Sequence, residues 1–133
     1  MPEPRTTGEF GCTRCFGPDP EAAWGHKLDP CGHLVDDSHF GVALFRCPDC
    51  HQMFVSIFTE FVDWIDGDDP QYWDRLPLTP AEAENLARQG EAVDLRQIEE
   101  LGRNRRRLKV DYPKGSPRKC TWTAGGLAIV PGH

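Results

Sequence analysis

The sequence predicts an α+β fold, an antiparallel β-sheet carrying two short helices, in a single domain spanning 1–133. Three observations predict it. Residues 39–46, HFGVALFR, and 52–65, QMFVSIFTEFVDWI, are β-branched and aromatic with partial alternation, as half-buried strands require. Between them stands CPDC, a tight turn able to close a hairpin. Further on, Thr79-Pro80-Ala81-Glu82 is a helix start: a hydroxyl cap, proline in the first turn, and Glu three residues after the cap.

Taken in order, residues 1–11 read as a loose arm. CTRC, 12–15, is a turn-like pair, and the Gly/Pro-rich stretch FGPDPEAAWGHKLDPCGH reads as irregular loop. The hairpin of 39–65 follows. Residues 66–78, DGDDPQYWDRLPL, read as a polar turn with an embedded aromatic pair. The first helix runs from the Thr79 cap to Gly90, which can end it. A second runs from Asp94 to about Arg103, with Leu95, Ile98 and Leu101 marking its apolar side. The end of the chain, KCTWTAGGLAIV, reads as a small hairpin turned by Gly125-Gly126.

Composition narrows the function classes. Of 133 residues, 38% are hydrophobic and 27% charged, so wholesale disorder is not expected. No apolar run is long enough to span a bilayer. MPEPRTTGEFGC lacks the apolar core of a secretory signal, so a cytoplasmic location is expected and no membrane partner. Thiols there stay reduced, which makes paired cysteines metal ligands or redox centres before structural disulfides.

The six cysteines are the main chemical signal. Cys12/Cys15 and Cys47/Cys50 are two Cys-x-x-Cys pairs. Such a turn presents both sulfurs to one ion, and its backbone N–H groups help keep the thiolates ionised. Together they supply the four ligands of a closed tetrahedral Zn²⁺ site. A thioredoxin-like redox pair should open a helix, whereas HQMFVSIF after Cys50 reads as strand. A catalytic zinc needs an open position and an acid/base residue; no His-x-Glu motif precedes the pair, and the spacing of His39, His51 and Glu60 does not demand a site. No nucleophile elbow or phosphate-binding glycine loop is present.

The paired knuckles, with ALFRCPDCHQMFVS forming a hairpin around the second, resemble the zinc-ribbon family over residues 12–65. The resemblance implies Cys12, Cys15, Cys47 and Cys50 as Zn²⁺ ligands, a structural role for the metal, and a zinc-ribbon-like sheet, with 66–133 as a helical and hairpin extension. His51 stands where such knuckles often carry glycine. The 31 residues between the pairs hold a further Cys-x-His, Cys31 and His33. With Cys47 and Cys50 this resembles the second metal site of RING fingers, so Cys31 and His33 are alternate ligands, although the additional cysteine pair of a full RING is missing. Otherwise Cys31 is expected as a buried thiol, His33 as a hydrogen-bonded loop histidine, and Cys120 as a small core residue on a strand.

Charge divides the chain. Residues 60–102 hold twelve acidic and three basic side chains; 103–133 hold eight basic and one acidic. The acidic stretch interleaves aromatics with carboxylates. Asp63, Trp64, Asp66, Asp68, Asp69 and Trp73 are therefore candidates for binding a basic protein partner. The expected role is a non-enzymatic interaction module, an adaptor or an inhibitor of the kind that occludes a toxin's basic site. The second expectation is nucleic-acid binding through the 103–119 tract; the third is a metal-dependent enzyme.

Overall fold

A computed structural model of the chain describes residues 10–61, 70–112 and 117–129. Six antiparallel strands follow one another across a single sheet in chain order: β1 (Asp29–Asp36), β2 (Phe40–Arg46), β3 (Met53–Glu60), β4 (Gln71–Leu78), β5 (Arg106–Tyr112) and β6 (Lys119–Ala124). The helices are α1 (Pro20–Gly25), α2 (Pro80–Gln89) and α3 (Leu95–Leu101), with a 3₁₀ turn at Gly90–Ala92 between the last two.

The β2–β3 hairpin forms as the alternation predicts, in register from Phe40↔Thr59 to Arg46↔Met53, so the Cys47–Gln52 loop lies at one end of the sheet. Alternation then sorts the side chains. Val42, Leu44, Val55, Ile57, Leu76 and Leu78 face α2 and α3, whose Ala83, Leu86 and Ile98 complete the main core. Phe54, Leu108 and Val110 face the other way. There they meet α1 and the N-terminal segment, including Phe10, Cys15 and Phe16.

The α2 start matches the expected capping box. Thr79 Oγ1 accepts from Glu82 N–H at 3.2 Å, and Glu82 Oε1 accepts from Thr79 N–H at 2.8 Å. The α3 cap is Asp94.

Several expectations are corrected. The stretch read as loop after Cys15 contains α1, because Asp19 caps it through the Glu21 and Ala22 N–H groups and Pro20 pre-sets its first turn. Where two helices were expected, the described residues hold three. Residues 71–78 form β4, not a turn: Trp73 and Tyr72 take opposite faces, and Leu76 and Leu78 enter the core. Phe10 is buried against the knuckles, so the loose arm does not extend through residue 11. Among the described residues the expected terminal hairpin does not form. Lys119–Ala124 pairs with β5, and Leu127 instead packs into the main core beside Gly102, where an added Cβ would lie 2.7 Å from Leu127 Cδ2.

Candidate metal centre

The Cys12–Cys15 turn and the Cys47–Cys50 loop meet at one end of the sheet. Phe16 N–H donates to Cys12 O at 2.8 Å, closing the first turn; His51 N–H donates to Cys47 O and Cys47 N–H to Gln52 O, both at 2.9 Å, closing the second. The first turn needs glycine at both flanks. A Cβ on Gly17 would stand 2.3 Å from Thr13 O; one on Gly11, at φ +69°, would stand 2.8 Å from Cys15 Sγ. In the second turn His51 adopts φ +66°, the conformation for which knuckles carry glycine at that place.

Four sulfurs converge. Cys12 and Cys15 Sγ are 3.7 Å apart, Cys15 and Cys50 3.7 Å, and Cys12 and Cys47 3.9 Å. All six cysteines are free thiols. A metal–thiolate bond of about 2.3 Å gives a tetrahedron with edges of about 3.8 Å, so the spacing fits one tetrahedrally bound ion. Cys15 and Cys47 are buried, and Cys12 and Cys50 are half-buried.

The electrostatics also ask for a cation. Burial opposes ionisation of Cys12, but the N–H groups of Cys15 and Arg14 outweigh it and bring the thiol down to about 7. Burial drives Cys15 far above the usual thiol range; the Cys12 N–H, 3.3 Å from its sulfur, offsets part of this, and the neighbouring Cys50 adds to it. Burial raises Cys50 as well. Ionising all four thiols together requires a positive charge at their centre.

Two residues that sequence reasoning missed complete the surroundings. Gln52 is buried and joins three segments: its Nε2 donates to Met53 O (2.8 Å) and Leu78 O (2.6 Å), and its Oε1 accepts from Gly11 N–H (2.9 Å). It therefore ties the second loop and the end of β4 to the N-terminal turn. His26 Nε2 lies 3.4 Å from Cys47 Sγ and 3.4 Å from Asp49 Oδ2. No spacing signal pointed to either. His26 sits 21 residues before Cys47, at the end of a helix that was read as loop.

Other candidates lie elsewhere. Cys31 and His33 are on β1, not in a loop; both are exposed, and Cys31 Sγ faces Asp29 O at 3.6 Å. Among the described residues they join no ligand cluster, because the register shift between Pro30 and Gly32 leaves Cys31 outside the regular pairing. His39 and Glu60 pair at 2.8 Å at the far end of the β2–β3 hairpin. The Gln71 hydrogen bond and then His39 hold the Glu60 carboxyl below its usual value. Cys120 is buried on β6 as expected, its thiol pushed up to about 11 chiefly by burial.

Trp73 is half-buried, packed against Phe58, Tyr112 and Trp24 with ring centroids 4.9, 5.4 and 5.6 Å away. Asp63, Trp64, Asp66, Asp68 and Asp69 lie outside the described residues. The arginine run is largely consumed internally. Arg105 pairs with Glu82, Arg107 with Asp74 at 2.8 Å, and Arg103 with Glu100. Arg106 stacks between Phe16 and Trp122, its guanidinium carbon 4.1 and 4.0 Å from the ring centroids. No helix among the described residues is long and apolar enough to cross a membrane. No family model, curated protein or solved structure matches the chain.

Proposed function

We propose that the protein is a zinc-ribbon-like interaction module, in which Cys12, Cys15, Cys47 and Cys50 hold a structural Zn²⁺ and the surface works by binding another protein. The observation that carries the metal reading is the convergence of four thiol sulfurs, three of their separations at 3.7–3.9 Å and all within 4.8 Å. Thiolates favour zinc over harder divalent ions. Four protein ligands fill the tetrahedron and leave no position for substrate, which supports a structural role over catalysis. The ion would clamp the N-terminal turn, with Phe10 and Phe16, onto the sheet.

Two features support a protein partner over nucleic acid. The net charge is −6, and three arginines of the 103–107 run already face carboxylates. Charges so paired contribute little to phosphate neutralisation. Phe61, exposed beside Tyr72, offers an apolar anchor, and the sequence that follows it is rich in aspartate, a composition suited to a basic protein surface.

The test has two arms. Metal analysis of the purified protein should find zinc bound by thiolates, lost in Cys50→Ser and retained in Cys120→Ser. A partner isolated by cross-linking should bind the Asp66→Asn/Asp68→Asn/Asp69→Asn variant at least about tenfold more weakly. Unchanged partner affinity in that variant, or tight salt-sensitive binding of a generic RNA or DNA oligomer, would overturn the interaction reading and leave the metal reading standing.

A further inference from the structure

We propose that Cys47 serves two ions, and that a second divalent cation sits beside the tetrathiolate centre, held by Cys47 Sγ, His26 Nε2 and Asp49 Oδ2. The inference rests on the zinc reading above and goes beyond it in stoichiometry, ligands and chemistry.

The geometry points there first. With metal–nitrogen and metal–oxygen bonds of about 2.0–2.1 Å and a metal–sulfur bond of about 2.3 Å, tetrahedral edges run about 3.3–3.6 Å. His26 Nε2 lies 3.4 Å from Cys47 Sγ and 3.4 Å from Asp49 Oδ2, and the three ligand atoms fall within 4.8 Å of one another. A single imidazole N–H can point at the sulfur, but it then leaves the carboxylate at a distance too long for a good hydrogen bond. An ion lying between the three atoms satisfies both separations. A thiolate that gives one lone pair to the first ion has others to give to a second.

The ligands are also held in place. His26 follows α1, and its N–H is bonded to Ala22 O and Ala23 O at 3.1 and 3.3 Å. Cys47 is fixed by the closed loop of the second knuckle. Apart from the other sulfurs, His26 is the one hydrogen-bond partner of Cys47 Sγ among the described residues. Charge favours the same arrangement. Four thiolates around one divalent ion leave a net double negative charge, and Asp49 adds another beside it. Arg14, 3.6 Å from Asp49 and 72% exposed, is a screened partner that a divalent ion can displace. The donor set of one thiolate, one imidazole and one carboxylate suits a borderline-soft ion such as zinc and leaves a fourth position for water. The second ion is therefore the more labile and the more accessible.

The test titrates the metal-free full-length protein with Zn²⁺, reading stoichiometry by native mass spectrometry, and with Co²⁺, reading the thiolate-to-cobalt and ligand-field absorption. Two ions per chain are expected. The first should give a tetrathiolate cobalt spectrum and the second a mixed sulfur, nitrogen and oxygen one. His26→Ala and Asp49→Asn should each weaken the second ion roughly tenfold or more while leaving the first spectrum unchanged. Saturation at one ion, or a second ion unaffected by both substitutions, overturns this proposal and spares the tetrathiolate reading. Binding of no ion overturns both.

Discussion

At the scale of single residues, the site depends on backbone positions as much as on sulfur. His51 holds a left-handed conformation at the turn out of the second knuckle. A small substituent relieves it and a β-branched one aggravates it. His51→Gly should therefore stay within about 1 kcal/mol of wild type, while His51→Val should lose about 1–3 kcal/mol. Chemical denaturation of the two variants checks this. The two Cys-x-x-Cys turns were legible from spacing, because each is a local object; that Cys12, Cys15, Cys47 and Cys50 cluster while Cys31 and His33 stand apart took the fold to show. Gln52 and His26 were not, because their partners lie far along the chain: Gln52 reaches 41 residues back to Gly11 and 26 forward to Leu78. A glutamine next to a histidine after a knuckle carries no mark of a buried three-way bridge.

At the scale of elements, the first turn of α2 does two tasks through Glu82, which closes the capping box on Thr79 and accepts both guanidinium arms of Arg105. Thr79→Ala should cost roughly 1 kcal/mol, read from thermal or urea unfolding. Burial opposes ionisation of Glu82, but the Arg105 hydrogen bonds and the Thr79 N–H outweigh it and hold the carboxyl below its ordinary 4.5. A depressed folded value means stability that is present above pH 4.5 and lost as pH falls through the folded value. Glu82→Gln, which keeps a capping side chain and removes the charge, should therefore destabilise most near neutral pH. Its penalty should shrink below pH 4.5; unfolding of both proteins across pH 3–7 checks the trend.

The β5 arginines behave differently from one another although they adjoin in sequence. Arg107 is buried, donating to Asp74 Oδ1 and to Gly125 O, both at 2.8 Å. Removing it strands a partly buried carboxylate, so Arg107→Ala should cost about 3 kcal/mol or more. Arg103 pairs with Glu100 on the surface, and Arg103→Ala should stay within about 1 kcal/mol. Parallel unfolding curves separate the two. Alternation made β2 and β3 legible, and the capping box made α2 legible. The same signals hid β4, since Pro70, Pro77 and the neighbouring aspartates look like turn chemistry, whereas Pro77 sits within the strand and the flanking Leu76 and Leu78 fill the core. The short α1 escaped notice because three turns' worth of periodicity is absent from six residues; only its Asp19-Pro20 start gave a signal.

At the scale of the whole molecule, the described residues form one meander with α2 and α3 on one face and the knuckles, α1 and an aromatic cluster on the other. Successive strands pair antiparallel, and only the β4–β5 connection carries α2 and α3, so the α+β class was readable from the hairpin and the helix cap while the strand count was not. The cysteine end joins segments far apart in the chain: the residue 10–17 turn and the Cys47–Gln52 loop meet through the four sulfurs, the Gln52 bridge to Gly11 and a small apolar cluster of Phe10, Phe16, Leu28 and Phe54. In this account the ion's binding energy becomes folding energy for that end of the sheet. The most direct measurement is thermal unfolding of the metal-loaded protein, with metal content determined, before and after a strong chelator removes the ion. The account predicts tightly held zinc, a melting temperature lowered by about 10 °C or more on its removal, and recovery when zinc is returned. A purified protein that holds no metal, or one whose unfolding is the same with and without it, would contradict it.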